Sequence, residues 1–241
     1  MGGVVAIIPA RYQSERFPGK PLALLKGEPV IIHVARKAAA CRNIDHVIVA
    51  TDSEEIHNAV TSSGFIARMT SETHQSGTDR IAEVAKYIDD DIVVNIQGDE
   101  PLIDPDSVDK AVKALIDDKS LNVSTLCVPI AEEDFKNPNV VKVVTDNDGN
   151  ALYFSRSPIP YNRESGLPTP MKKHIGLYVY RRDFLIKYAD IQPSELERVE
   201  KLEQLRILQN GTRIKVITAS KDSIGIDTPE DLIRAENTGN V

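Results

Sequence analysis

Val4-Val5-Ala6-Ile7-Ile8-Pro9-Ala10-Arg11-Tyr12-Gln13-Ser14-Glu15-Arg16-Phe17-Pro18-Gly19-Lys20-Pro21 divides into an apolar strand and a cationic loop. The unbroken, β-branched run from Val4 to Ile8 has the pattern of a strand buried on both faces of a sheet, and it is expected to end at Pro9. Beyond it Arg11, Arg16 and Lys20 face a single acid, Glu15, in a chain whose net charge is -7. A buried first strand feeding a locally basic loop points to an anion held at the carboxyl edge of a parallel sheet, where open α/β folds place ligands. Two Arg forks and one mobile Lys charge suit a polyphosphate. A solvated basic loop is the alternative, and the prolines flanking Gly19-Lys20 weigh against it by pre-ordering the backbone.

Two phosphate motifs are excluded. Gly19-Lys20 is followed by Pro21, not Ser or Thr, and no G-x-G-x-x-G follows the strand. The 241 residues suffice for one α/β domain spanning 1–241, and the acidic balance argues against nucleic-acid binding. Cys41 and Cys127 have no metal or redox spacing, which fits a reducing cytoplasm. No signal peptide is recognised at the amino terminus, and no apolar run reaches membrane-spanning length.

Strand and helix patterns then alternate. Val30, Ile31, Val34 and Ala38 form the buried stripe of a helix with Pro29 near its first turn. His33 and His46 read as structural or exposed. Asp52 is expected to cap the next helix, which Gly64 closes. Ser76 and Asp79 form a capping box, and the same helix N-terminus, with Arg80 beside it, is a place to hold a nucleotide. Asp91 to Pro101 is a second apolar strand running into Gly98-Asp99-Glu100, so Asp99 belongs at the same edge as Arg11. A carboxylate beside a triphosphate calls for a divalent cation between them, and Mg²⁺ suits one or two carboxylates plus phosphates. Glu100 reads as a turn acid. Residues 121–180 are β-rich and are expected to form an antiparallel extension and an interface; Glu195 to Gln209 reads as one helix closed by Gly211. At the end, Thr228 caps a helix begun by Pro229, with Asp227 just outside it.

Seven segments carry a family resemblance: residues 7–21 through Arg11, Ser14, Arg16 and Lys20, His74 to Arg80, Gln97-Gly98-Asp99-Glu100-Pro101, Tyr153 to Arg156, His174 to Tyr178, Leu202 to Leu205, and Asp227 to Asp231. Together, from residue 4 to about 235, they resemble the CMP-Kdo synthetases, the 3-deoxy-manno-octulosonate cytidylyltransferases. The resemblance implies a nucleotidyltransferase-like, Rossmann-like α/β fold with a mostly parallel sheet. It also implies a Mg²⁺-dependent reaction of CTP with Kdo that gives CMP-Kdo and pyrophosphate for lipopolysaccharide biosynthesis, by a cytoplasmic homodimer built through the β-rich extension. Carried onto this sequence, Arg11, Arg16 and Lys20 grip the triphosphate and Ser76, Gly77 and Arg80 face the cytidine. Asp99 and Asp227 hold Mg²⁺, and Gln97, Arg156, His174, Tyr178, Glu203 and Gln204 line the sugar-acid pocket. Arg156 and His174 are the expected partners of the substrate carboxylate; without the resemblance His174 reads as a structural strand histidine. Two alternatives are activation of a related acid, 8-amino-Kdo or a sialic acid, and a non-catalytic nucleotide-binding module.

Overall fold

The computed structural model describes residues 2–13, 17–164, 171–223 and 225–237. In chain order the elements are β1 (Val4–Ala10), a small hairpin of β2 (Leu24–Leu25) and β3 (Glu28–Pro29), α1 (Val30–Ala39), β4 (His46–Thr51), α2 (Glu54–Ser62), β5 (Ile66–Met69) and α3 (Gly77–Ala85). There follow β6 (Ile92–Asn95), α4 (Pro105–Asp117), β7 (Val123–Pro129), β8 (Lys142–Thr145), β9 (Ala151–Ser155) and β10 (Lys172–Arg181). The chain continues with α5 (Arg182–Ala189), α6 (Glu195–Glu200), α7 (Gln204–Gln209), β11 (Ile214–Thr218) and α8 (Pro229–Asn237).

The main path of the sheet runs β11-β7-β10-β6-β1-β4-β5. β1 is parallel to β4 on one side and to β6 on the other. Its side chains alternate between the two cores: Val4, Ala6, Ile8 and Ala10 pack on the face covered by α1, α2, α4 and α8, and Val5 and Ile7 on the face covered by α3, α5 and α7. Burial on both faces explains the lack of polar alternation in the run. Contrary to expectation the strand continues through Pro9 to Ala10. The ladder to β6 stops at Ile7 while that to β4 runs on to Thr51, so the imino acid lies past the end of one ladder. Successive crossovers leave β1 on opposite sides, which makes its carboxyl end the switch point where an α/β sheet opens a crevice.

Pro29 stands at the N-cap of α1, next to its first turn as expected. One local expectation is corrected. The stretch from Glu195 to Gln209 is two helices, because Lys201 adopts a left-handed conformation (φ 53°) and the Glu200 carboxylate is drawn to Ser155 Oγ and the Arg156 amide. Residues 121–180 supply the expected antiparallel extension of the sheet. β7 and β10 are integral strands, antiparallel to each other, with β10 antiparallel to β6 and β7 parallel to β11; only β8 and β9 lie off the main path.

Candidate active site

The loop after β1 is folded back on itself. Gly19 donates its amide to the Tyr12 carbonyl at 2.9 Å, and its φ of 70° lies in the left-handed region that glycine enters at little cost. Pro21 then fixes the first turn of a short 3-10 helix that starts at Lys20. The turn aims the lysine ammonium across the carboxyl edge of the sheet, where Nζ donates to Asp99 Oδ2 at 2.5 Å and to Asp227 Oδ1 at 3.3 Å. The loop carrying Asp227 is tied to the loop after β6 at two points, by the Ile226 amide on the Asp99 carbonyl at 2.8 Å and by Ser223 Oγ on Glu100 Oε2 at 2.5 Å. Glu100 is thus more than a turn acid. Burial pushes its carboxyl up to about 7, against the pull of Ser223.

Arg11, Lys20, Asp99 and Asp227 share one cleft of about 330 Å³ with Gly77 and Gln97. Its far wall is the start of α3. Ser76 Oγ accepts from the Asp79 amide and Asp79 accepts from the Ser76 amide, so the capping box forms as expected. The Gly77 and Thr78 amides stand in the first turn, outside the intrahelical ladder, at the positive end of the helix dipole. Arg80 lines the cleft, but its guanidinium is buried and spent on Thr70 Oγ1 and on Asp52 Oδ2, the latter at 2.6 Å. Asp52 therefore does not cap α2. Ser53 takes that place, accepting from the Ile56 amide, because a buried guanidinium needs a carboxylate more than a helix end needs one.

On the neighbouring side of the sheet, Gln97 lies just past the end of β6 and turns Nε2 toward the Asn95 side chain and the Gly176 carbonyl. Tyr178 sits opposite Asn95 on β10, and its buried hydroxyl has no hydrogen-bond partner among the described residues. Glu203 lies in the break between α6 and α7 beside the Thr78 hydroxyl, and burial raises its carboxyl. Gln204 is buried at the start of α7. His174 stacks edge-on against Phe154, with ring centres 5.0 Å apart, and lies 5.4 Å from the Tyr178 ring. Thr78 thus joins the nucleotide side of the cleft to the Glu203 side.

The family model described as Cytidylyltransferase matches residues 5–214. The 3-deoxy-manno-octulosonate cytidylyltransferase of Pelobacter propionicus is 52% identical over 243 residues, 96% of this chain and 95% of that protein. The enzyme of the same name from Geobacter metallireducens is also 52% identical, over 95% of this chain and 94% of its own length. The chain belongs to the 3-deoxy-manno-octulosonate cytidylyltransferase family. A solved structure of a CMP:2-keto-3-deoxy-manno-octonic acid synthetase complexed with CTP superposes with a TM-score of 0.94 at 42% identity, covering 97% of each chain. A thymidylyltransferase structure from Bacillus anthracis, at 17% identity and a TM-score of 0.70, shares the fold alone.

Of the residues assigned to a cytidylyltransferase site from the sequence, Arg11, Lys20, Ser76, Gly77, Arg80, Gln97, Asp99 and Asp227 line the one cleft. Arg16 lies outside the described residues. Arg156 braces the α6–α7 break: its Nε and both Nη atoms donate to the carbonyls of Glu200, Pro138 and Lys201, which uses three of its five N–H donors. His174 is corrected in its chemistry. Thr125 Oγ1 has one hydrogen, directed at the Leu177 carbonyl at 2.6 Å, so it accepts from His174 Nε2 at 2.9 Å and leaves Nδ1 as the ring's acceptor. Burial pushes the imidazole down to about 3, so it is neutral at working pH and offers a ligand no proton.

A pH prediction follows from that ring. The unfolded histidine takes up a proton near its ordinary pKa of 6.5 and the folded one does not, so the folded state binds fewer protons between pH 6.5 and about 3. Its stabilising contribution is complete above pH 6.5 and declines as the pH falls through that window. Urea unfolding at pH 7 and pH 5 is expected to show a steeper loss for the natural chain than for His174→Gln, by up to about 1.4 kcal/mol per pH unit. Parallel pH curves for the two proteins would refute the neutral, buried ring.

Whether a divalent cation fits is answered by Lys20. Its ammonium already bridges Asp99 and Asp227, so the two carboxylates converge on its positive charge. No cluster of three or more potential metal-ligating side chains occurs among the described residues. A pair of carboxylates matches Mg²⁺, which keeps waters and takes its remaining oxygens from substrate phosphates. Asp99 and Asp227 are the residues that could hold it.

The sequence reading missed Thr78, Thr125, Gly98 and the Glu100–Ser223 tie. Thr78 and Gly98 lie inside quoted motifs, but their partners are distant in the chain. Ser223 lies 123 residues from Glu100 in the chain, so no local pattern links the two.

Proposed function

We propose that this chain transfers CMP from CTP to the anomeric hydroxyl of Kdo, releasing pyrophosphate and giving CMP-Kdo for lipopolysaccharide biosynthesis. The observation that carries the reading is the convergence of Lys20, Asp99 and Asp227 beside Arg11 at the carboxyl end of β1. Arg11 and Lys20 bind the phosphates and offset their charge, and the α3 amides together with the Ser76 loop receive the nucleoside. Arg80 contributes by bracing that wall through Asp52 and Thr70. Mg²⁺ held by Asp99 and Asp227 supplies Lewis-acid stabilisation of the charge on the phosphates. The sugar acid enters from the Gln97 side, where the Tyr178 hydroxyl, without a partner among the described residues, Glu203, Gln204 and the acceptor nitrogen of His174 present hydrogen-bonding groups to its hydroxyls. The anomeric oxygen forms a bond to the α-phosphorus as the bond to the pyrophosphate oxygen breaks, in line, with positioning and charge neutralisation as the protein's contribution.

Two finer parts of the reading have their own support. Homodimerisation through the β8–β9 segment accounts for Leu152 on β9 at 62% exposure and Tyr161 at 88%. A cytoplasmic setting follows from CTP as substrate, and no helix among the described residues is long and apolar enough to cross a membrane.

The test is pyrophosphate release from CTP with a panel of acceptors. Release is expected only when Kdo and Mg²⁺ are both present. Faster release with 8-amino-Kdo or a sialic acid reassigns the acceptor, and no release with any acid sinks the enzymatic reading in favour of a nucleotide-binding module.

A further inference from the structure

Lys20 stands where a metal ion's charge is needed. Its side chain is 13% exposed, its backbone is set by Gly19 and Pro21, and its ammonium is held by both carboxylates that the proposed reaction assigns to a cation. A divalent ion approaching Asp99 Oδ2 and Asp227 Oδ1 meets a positive charge 2.5 and 3.3 Å from those oxygens. The two cations repel at that range, and the carboxylates cannot give their full charge to both. Binding metal therefore requires the ammonium to leave. Lysine is suited to leaving, since a compact charge on a flexible four-carbon stem reorients without the backbone, whereas an Arg fork would be locked to the pair.

The departing ammonium needs another anion, and the same cleft provides a place for one. Arg11 and the N-terminal turn of α3 line it with Lys20, so a triphosphate seated there lies within the lysine's reach. We propose that Lys20 is an exchangeable counter-ion of the Asp99–Asp227 pair, which passes from the carboxylates to the phosphates as the cation arrives, so that metal and nucleotide bind cooperatively. The inference rests on the CTP reading above and adds to it a residue that makes metal loading conditional on nucleotide. By linkage the coupling is reciprocal: whatever factor CTP adds to metal affinity, metal adds to CTP affinity.

The experiment uses Mn²⁺ as the metal, with free Mn²⁺ followed by electron paramagnetic resonance, on the full chain. Without nucleotide, Lys20→Met is expected to bind Mn²⁺ about tenfold or more tightly than the natural protein, within the usual range of coupling factors. Added CTP is expected to tighten Mn²⁺ binding strongly in the natural protein and by a smaller factor in Lys20→Met. Lys20→Gln carries the same test should the Met variant not fold. If neither variant folds, the natural protein decides, and a CTP effect on Mn²⁺ affinity of less than about twofold overturns the proposal. Equal Mn²⁺ affinity in Lys20→Met and the natural protein also overturns it. Asp99→Asn separates the two readings. Unchanged Mn²⁺ binding in that variant removes the metal site itself, whereas weakened binding there with no gain in Lys20→Met removes only the role given to Lys20.

Discussion

Asp99→Asn is expected to lower the rate of pyrophosphate release by about a thousandfold, equivalent to about 4 kcal/mol of transition-state stabilisation. The amide is close to isosteric with the carboxylate and can still accept from Lys20, so the substitution removes charge with little change of shape. That charge is what a cation on the phosphates requires, and the neutral amide supplies none. Asp227→Asn is expected to act in the same direction, since its oxygen faces the same ammonium from a loop 207 residues away from Lys20 in sequence. Neither variant should melt much earlier than the natural chain. The Asp227 side chain is 48% exposed and that of Asp99 29%, and ion pairs so open to water contribute about 0–1 kcal/mol. Steady-state pyrophosphate release, with circular dichroism to confirm folding, checks both. An Asp99→Asn enzyme retaining a tenth or more of the natural rate would remove Asp99 from the chemistry.

Gly98→Ala is expected to lower the same rate by about a hundredfold, through space and not through backbone conformation. A Cβ built at Gly98 would lie 2.7 Å from the Pro9 carbonyl oxygen, a backbone atom of the central strand that cannot rotate away. Either β1 or the Gly98–Asp99 turn must shift, at a cost of about 1–3 kcal/mol in stability. Because Pro9 precedes the Arg11 loop and Gly98 precedes Asp99, the shift separates the two halves of the cleft. Displacements near 1 Å at a reacting centre cost about a hundredfold. Gly176→Ala is the matched control, since a Cβ there meets nothing within 4 Å. Its rate is expected to stay near the natural one. Equal behaviour of the two alanine variants would show that the turn has room to spare and that Asp99 is placed by something else.

The cost at Gly98 also shows why part of this site escapes a reading of the sequence. The Gly98-Asp99 turn is visible as a motif, but the atom that forbids a side chain belongs to Pro9, on a different strand. Asp52 shows the same limit. Its position after β4 is that of a helix cap, and only the folded chain reveals that Arg80, buried at the start of α3, claims its carboxylate. Arg156 lies inside a legible motif, but only the folded chain shows that the carbonyls of Pro138, Glu200 and Lys201 accept from its guanidinium. By contrast, the capping box at Ser76 and the cap at Thr228, whose Oγ1 accepts from the Asp231 amide, are legible because the partners lie three residues apart.

The sequence by itself determined the α/β class, the doubly buried first strand, the helix caps written in adjacent residues and, through its joint motifs, the cytidylyltransferase family. These are local or repetitive signals, set by the preferences of a few neighbouring residues and by periodic burial. Tertiary structure alone decided that β10 pairs with β6 and β7 with β11, that Arg80 faces inward to protein partners, and that Lys20 meets Asp99 across 79 residues and Asp227 across 207. Such meetings depend on strand order, which follows from the summed burial of whole elements. No residue near Lys20 in the chain encodes which carboxylates that order will bring to its ammonium.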